Sequence, residues 1–447
     1  MAHNILILTY HFPPSTVAAT FRPLRLAKYL PDLGHKVWVI TATPGSYSNG
    51  RTDRDLLEEI PSSVRVLRIS NPNLLRFYER HRPAAQPHSG DVSESQVATQ
   101  KRNAPHLRTF LAELAKFPDV DAAWAFGSIL PALYLIYRHR IDLVCSSGPT
   151  FGAHVLGLYL KKLTSRPWIA LYGNPWTSNP SISWDFPIFK RLCERLDLGV
   201  VRRADAITAI DNILVDCVRN LGREDHVYLH PNGFDPAHFA PTPPPMGKFT
   251  VTYTGSLYDM HDPTVIYQAL AILEHDYPDI RTDMRIIFAG PSVSDPFRHG
   301  APSDIEFTGP LPHAALVDKM NESHLLLDFL TASSEQKFSV SCKLYEYMAA
   351  KRPMLAVTPE GLLANEVRRL GLGKVVPCDN PAPIAAAILD FYHKYKAGTL
   401  HAPDNPAIDH YSAPNLVREF MEIAENACFS GKNKANTTAA ETKVRRQ

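Results

Sequence analysis

Lys343 and Glu346 stand three residues apart in the stretch Ser339 to Pro353, SVSCKLYEYMAAKRP. Two serines, Ser339 and Ser341, precede a short helical pattern, and a basic turn with Pro353 closes it before the strand-like MLAV at Met354 to Val357. The first-turn N–H groups of a helix have no intrahelical partners, and the macrodipole adds partial positive charge there, so a phosphate is a natural ligand. Glu346, one turn further in, could accept hydrogen bonds from sugar hydroxyls. A Lys ahead of a Glu at the positive end of a helix is the less favourable order for helix stability, which tilts the reading toward a ligand. The competing reading is a solvated face on an ordinary amphipathic helix.

Other residues invite chemistry less directly. Arg22 falls in the first turn of a predicted helix, Phe21 to Leu30, where a cation does not serve the dipole; it reads as an anion ligand or as a surface Arg. His154 lies within the first turns of a helix after the small-residue loop of IDLVCSSGPT, and is either functional or a satisfied buried histidine. GNPWTSNP, with Asn174 and Trp176, is a polar and aromatic loop that could line a sugar site. Asp119 and Asp121 have the spacing of a metal-holding pair, but they follow Pro118 and open an apolar-periodic run, so helix capping explains them more economically. Lys190, Arg191, Arg195, Arg202 and Arg203 make the ends of a helix over Pro187 to Arg203 basic; with Trp184 and Phe186 it could rest on an anionic membrane surface, or be a solvated amphipathic helix.

The elements that must position these residues alternate strand and helix. At 447 residues the chain exceeds one typical core, and 45% hydrophobic with 21% charged residues fits a soluble globular protein. A net charge of +2 gives no general argument for nucleic acid. Six scattered cysteines have neither disulfide-framework nor zinc spacing, so a reducing cytosol fits best. The N-terminal apolar run is strand-length and nowhere do eighteen apolar residues run together, so neither secretion nor membrane spanning is expected. Apolar runs ending in polar or glycine loops recur at Asn4 to Tyr10, Lys36 to Thr41, Val64 to Ile69, within Ile141 to Thr150, at Pro167 to Tyr172 and Asp205 to Ile210, and in HVYLHPNGFD, which ends in an Asn232-Gly233 turn. They recur again at Thr250 to Gly255, Met284 to Gly290, Ile305 to Gly309, Leu325 to Leu330 and Lys374 to Pro377. This predicts an α/β chain of two Rossmann-like doubly wound domains facing a central cleft. The expected organisation is an N-terminal domain over 1–235 with a mobile loop at 82–104, a Pro-rich linker at 236–248 and a C-terminal domain over 249–400. A helix in 401–430 would pack back across the cleft, and 431–447 would be a disordered tail. No GxGxxG opens the chain, and no P-loop or GxSxG elbow is present.

The ordered series YHFPP with Arg22 following, LGHKVWVIT, IDLVCSSGPT, PWIALYGNPW, RADAITAI, HPNGFDPAHF, FTVTYTGSLY and KLYEYMAAKRPML resembles glycosyltransferase family 4, with the GT-B fold, over nearly the whole chain to about Leu400. The resemblance implies a retaining, metal-independent transfer of a sugar from a nucleotide-sugar donor, with no other cofactor, to a saccharide, lipid-linked or small-molecule acceptor. It implies that the acceptor is held mainly by the N-terminal domain and the donor by the C-terminal one, gives Glu346 a ribose-binding role and places Asn232 and Gly233 at the domain cleft. Lys343 and His154 are then the catalytic candidates; Ser339, Ser341, Gly255, Ser256 and Gly290 join Glu346, Asn232 and Gly233 around the donor, and Arg22, Ser147, Asn174 and Trp176 face the acceptor.

The chain also departs from the family pattern. Phe338 stands eight positions before Glu346, where a first glutamate is usual, and Glu335 is the nearest acid. SLYDMHDP replaces a stretch that often carries an Arg and a Lys, Ala18 and Ala19 replace glycines, and Asn174 stands where an acid is common. Lys343 and its helix start would therefore carry more of the diphosphate. Two other readings remain: a nucleotide-sugar epimerase or hydrolase on the same fold, and a non-catalytic relative that binds a partner or, peripherally, a membrane.

Overall fold

The structure is a computed structural model that describes residues 2–47, 52–71, 106–119, 122–179, 184–240, 246–257, 261–291, 297, 300–332, 340 and 342–429. The expected loop at 82–104 and tail at 431–447 lie outside the described residues, as do Ser339, Ser341, Glu335 and Phe338. The chain divides into two compact units, one formed by Met1–Pro231 with Val417–Gln447 and the other by Asn232–Leu416.

In the first unit seven strands form one wholly parallel sheet: β1 (Asn4–Thr9), β2 (Lys36–Ala42), β3 (Arg65–Ile69), β4 (Leu143–Ser147), β5 (Trp168–Tyr172), β6 (Ala206–Ala209) and β7 (Val227–Leu229), ordered β3-β2-β1-β4-β5-β6-β7. A parallel sheet covered by helices on both faces needs apolar residues at every strand position. NILILT supplies them: Leu6 and Leu8 join one core with Trp38 and Val144, while Ile5 and Ile7 join another with Val37 and Leu143. Each such side chain, fully buried, contributes about 1.5–3 kcal/mol. The second core also takes Val417, Phe420, Met421 and Ile423 from the helix Ala413–Ala424.

The second unit repeats the plan with six strands: β8 (Phe249–Thr254), β9 (Met284–Ala289), β10 (Ile305–Gly309), β11 (Leu325–Phe329), β12 (Met354–Val357) and β13 (Gly373–Val376), ordered β10-β9-β8-β11-β12-β13 and all parallel. Leu325, Leu327 and Phe329 face one core and Leu326 the other. The sequence alternation offers no element between Pro377 and Asn415, yet Pro381–Lys396 is a 16-residue helix, started by the Asn380 side chain accepting from Ala382 N–H and packed through Ile384, Ile388 and Phe391. Strand order reverses between β1 and β4 in the first sheet and between β8 and β11 in the second. The carboxyl edge at such a reversal is where an open α/β sheet admits ligands.

Among the described residues no helix is long and apolar enough to cross a membrane. All six cysteines are free.

Candidate functional site

Lys343 and Glu346 lie on the helix Cys342–Ala350, which follows β11, and so belong to the second sheet's point of reversal. One side of the helix is fixed by Leu344, Tyr345, Tyr347 and Met348, all buried. The Tyr347 hydroxyl accepts from Thr254 N–H at 3.0 Å and donates to the Leu327 carbonyl at 3.1 Å, tying the helix to the ends of β8 and β11. Tyr347 is fully buried, and burial pushes its phenol well above the usual tyrosine range.

Lys343 reaches back over this edge. Its Nζ donates to Asp328 Oδ1 at 3.1 Å and to the Tyr253 hydroxyl at 3.2 Å, and lies 3.4 Å from His261 Nε2. The ammonium also sits 4.5 Å from the centre of the Tyr253 ring, a cation–π contact. Asp328, on β11, is fully buried, and its Oδ2 has no hydrogen-bond partner among the described residues. His261 Nδ1 is 2.8 Å from the Phe329 carbonyl. A carbonyl only accepts, so Nδ1 carries the proton and Nε2 is left as an acceptor for Lys343. Burial first, then the Lys343 charge, lower the His261 pKa to about 4, and the ring is neutral at pH 7.

The backbone around Lys343 is open because two glycines form it. Gly255 has φ +132° and Gly290 φ +146°; a Cβ on Gly290 would lie 2.2 Å from the Gly255 carbonyl oxygen, and one on Gly255 would lie 3.3 Å from the Lys343 side chain. Glycine is required at both. Ser256 offers its carbonyl to the Tyr253 hydroxyl at 2.9 Å. Glu346 is partly buried, with Oε1 2.9 Å from His313 Nε2 on the helix His313–Asn321. The Asn232 amide nitrogen stands 3.7 Å from Cys342 Sγ at the start of the same helix, and a Cβ on Gly233 would meet the Tyr411 carbonyl oxygen at 2.1 Å. Six of the eight donor residues predicted from the sequence are thus described, together with Lys343. Sequence reasoning missed Asp328 and His261, although a carboxylate inside the apolar run LLLDFL was a legible signal that something pairs with it.

The residues assigned to the acceptor belong to the first unit. Arg22 is buried, and its guanidinium donates to the carbonyls of Tyr172 at 3.2 Å and His230 at 3.1 Å, at and beyond the carboxyl ends of β5 and β7. His154 has no exposed surface: it shares a 2.8 Å hydrogen bond with Ser146 Oγ, stacks on Tyr172 at 4.6 Å, and turns Nε2 toward Gly148, where a Cβ would come within 2.7 Å. Burial and then the Arg22 charge hold its pKa near 3. Trp176 is buried and stacked on Phe151 with ring centres 4.9 Å apart, which leaves no face for a sugar. Ser147 is buried at the end of β4, and Asn174, just past β5, is exposed. Asp119 Oδ2 accepts from Gly152 N–H at 2.9 Å, at the start of Gly152–Thr164, while Asp121 lies outside the described residues.

No protein-family model matches the chain, and no curated protein matches its sequence. Solved structures do match in fold. A glycosyltransferase from Rickettsia africae superposes with a TM-score of 0.57 at 14% identity, covering 95% of this chain and 98% of that one. A trehalose-6-phosphate protein from E. coli bound with UDP-2-fluoro glucose gives 0.57 at 12% identity, covering 94% and 98%. A putative UDP-N-acetylglucosamine 2-epimerase from Listeria monocytogenes gives 0.53 at 12% identity, covering 95% and 97%. At these identities the likeness is one of fold: the chain has the two Rossmann-like parallel-sheet halves of GT-B proteins.

Proposed function

We propose that the chain transfers a sugar from a nucleotide-sugar donor to a saccharide, lipid-linked or small-molecule acceptor, with retention of configuration and without a metal ion, in the building of a surface polysaccharide or glycoconjugate. The observation that carries this reading is the placement of Lys343 and Glu346 one turn apart at the carboxyl edge between β8 and β11, beside the close approach of Gly255 and Gly290. The fold neighbours lend support, since one is bound with UDP-2-fluoro glucose. Retention and family 4 rest on the motif resemblance.

The chemistry needs no nucleophile from the protein. When the bond between the anomeric carbon and the diphosphate breaks, negative charge gathers on the leaving oxygen. The Lys343 ammonium and the N–H groups at the start of Cys342–Ala350 stabilise that charge where it develops. An ammonium has three N–H donors, and Asp328, Tyr253 and His261 stand around all three. The His261 contact is the longest, so a diphosphate oxygen gains its donor there at least cost. Glu346 accepts from the ribose hydroxyls, with His313 fixing its orientation.

Calorimetry with a panel of nucleotide diphosphates tests the donor site, and absence of binding to every one of them would leave a non-catalytic relative as the reading. Glu346→Ala is expected to weaken nucleotide binding by at least about tenfold, the effect of losing one charge-assisted hydrogen bond of about 1.5–3 kcal/mol. The epimerase among the fold neighbours favours a second reading, a nucleotide-sugar epimerase or hydrolase. Products formed from donor alone separate the two: epimerised or free sugar as the main product supports the second.

A further inference from the structure

The helix Ile129–Arg138, ILPALYLIYR, is apolar on both sides. Its inner side, Ala132, Leu135 and Ile136, is buried in the first unit's core. Its outer side is not: Leu130 is 78% exposed, Tyr134 64% and Tyr137 63%, at the 4- and 3-residue steps of one helical stripe. Phe126, 50% exposed, lies just before this helix, and its ring centre is 6.4 Å from that of Tyr159 on the neighbouring helix Gly152–Thr164. Leu163, 57% exposed, continues the surface, and Lys162 Nζ stands 5.4 Å from the Tyr159 ring centre. Folding does not explain such a face, because the helix already buries its other side.

The charge carried by this stretch is mostly positive, and Asp205, the acid brought to Lys161 beside Lys162, is paired there at 2.7 Å. Between Asp121 and Asp185 the only acidic residue is Asp142. Its carboxylate accepts from Asn4 N–H at 2.9 Å, and the Asn4 side chain donates to the Arg140 carbonyl at 3.3 Å, so Asp142 lies at the amino-terminal strand edge beside Arg140, tied to backbone. Arg138, Arg140 and Lys162 are all exposed. By contrast, the helix Pro187–Arg203, the membrane candidate of the sequence reading, has acids interleaved with its bases and an i,i+4 pair, Lys190 with Glu194 at 3.9 Å; its one large exposed apolar residue among those described is Ile188. A solvated face accounts for it.

We propose that Phe126, Leu130, Tyr134, Tyr137 and Leu163 form a docking surface for an anionic lipid bilayer, with Arg138, Arg140 and Lys162 meeting the headgroups. Leucine enters the acyl boundary and tyrosine suits the interface, its ring apolar and its hydroxyl wet. Exposed bases in excess of acids match a negative surface and would repel an acid-poor copy of the same face. The proposal is independent of the donor reading.

Flotation of the full-length protein with phosphatidylglycerol-rich vesicles, beside pure phosphatidylcholine vesicles, tests it. Binding to the first is expected to exceed the second by at least about tenfold and to fall as salt rises from about 0.1 to about 1 M. The triple variant L130S/Y134S/Y137S and, separately, R138E/R140E/K162E are each expected to lower binding about tenfold or more while circular dichroism and melting stay as in the parent. Absence of binding to either vesicle overturns the proposal, as does binding that both variants retain in full, which would assign it to another part of the chain. Self-association in sedimentation that the first variant abolishes, without lipid binding, overturns it in favour of a second copy.

Discussion

Lys343, the proposed diphosphate ligand, is also a structural charge, because it faces a carboxylate with no exposed surface. Removing the lysine alone strands Asp328 in the interior, and breaking such a pair costs about 3–5 kcal/mol. Lys343→Ala is therefore expected to lose stability as well as donor affinity, so the single variant confounds the two. The pair K343M/D328N removes both charges at nearly constant volume. It is expected to recover most of the stability in urea titration while nucleotide diphosphate binding stays lost; binding that returned with stability would deny Lys343 a role toward the ligand. His154 makes a second prediction at this scale. Its folded pKa is about 3 against 6.5 for an ordinary histidine, so it is neutral in the fold and gains a proton more readily when unfolded. Stability is then unaffected above about pH 7 and falls as pH drops from 6.5 toward 3. His154 alone is expected to remove about 2–3 kcal/mol by pH 4.5, and His154→Gln to flatten the pH dependence of the urea midpoint.

The strands and the helices that alternate with them were legible element by element, because a strand buried on both faces must be an unbroken apolar run ended by a turn. Met354–Val357 and Pro187–Arg203 fall where the pattern puts them. What was not legible is which residues meet across the chain. Asp328 and Lys343 are 15 positions apart, His261 and Lys343 are 82, and Arg22 meets a carbonyl 208 positions away. For His154 the local pattern was open between a functional and a satisfied buried histidine, for Trp176 it suggested a sugar-site wall, and only the sheet's three-dimensional edge decides. The helix Pro381–Lys396 had its signals in Asn380 and Pro381, a cap and a first-turn proline. The glycine edge carries a test of its own. Gly290→Ala forces a Cβ to within 2.2 Å of the Gly255 carbonyl at a φ of +146°. It is expected to cost about 2–4 kcal/mol and to weaken nucleotide diphosphate binding in parallel, measured by melting and calorimetry. Gly247→Ala, at φ +129° with nothing near its Cβ, controls for backbone strain without the contact and is expected to leave binding intact.

The chain builds its two units unequally, and this sets how the molecule as a whole should come apart. The second unit is one continuous segment, Asn232–Leu416, whose two cores draw, among the described residues, only on its own. The first is completed by the chain's return: Val417, Phe420 and Met421 pack with Ile5, Leu24 and Val37, which lie some 400 positions earlier. Phe420 has no exposed surface, so Phe420→Ala leaves a cavity costing about 3–5 kcal/mol, all of it in the first unit. A chain of two units need not unfold in one step. The variant is expected to speed hydrogen exchange in β1, β2 and β4 while β8, β11 and the helix Cys342–Ala350 exchange as before. Saturating nucleotide diphosphate should slow exchange in the second set, adding about 2.7 kcal/mol at a hundredfold excess over Kd. Should the Phe420 variant destabilise both sets equally, the units unfold as one, and the second unit would depend on a core to which none of its described residues contributes a side chain.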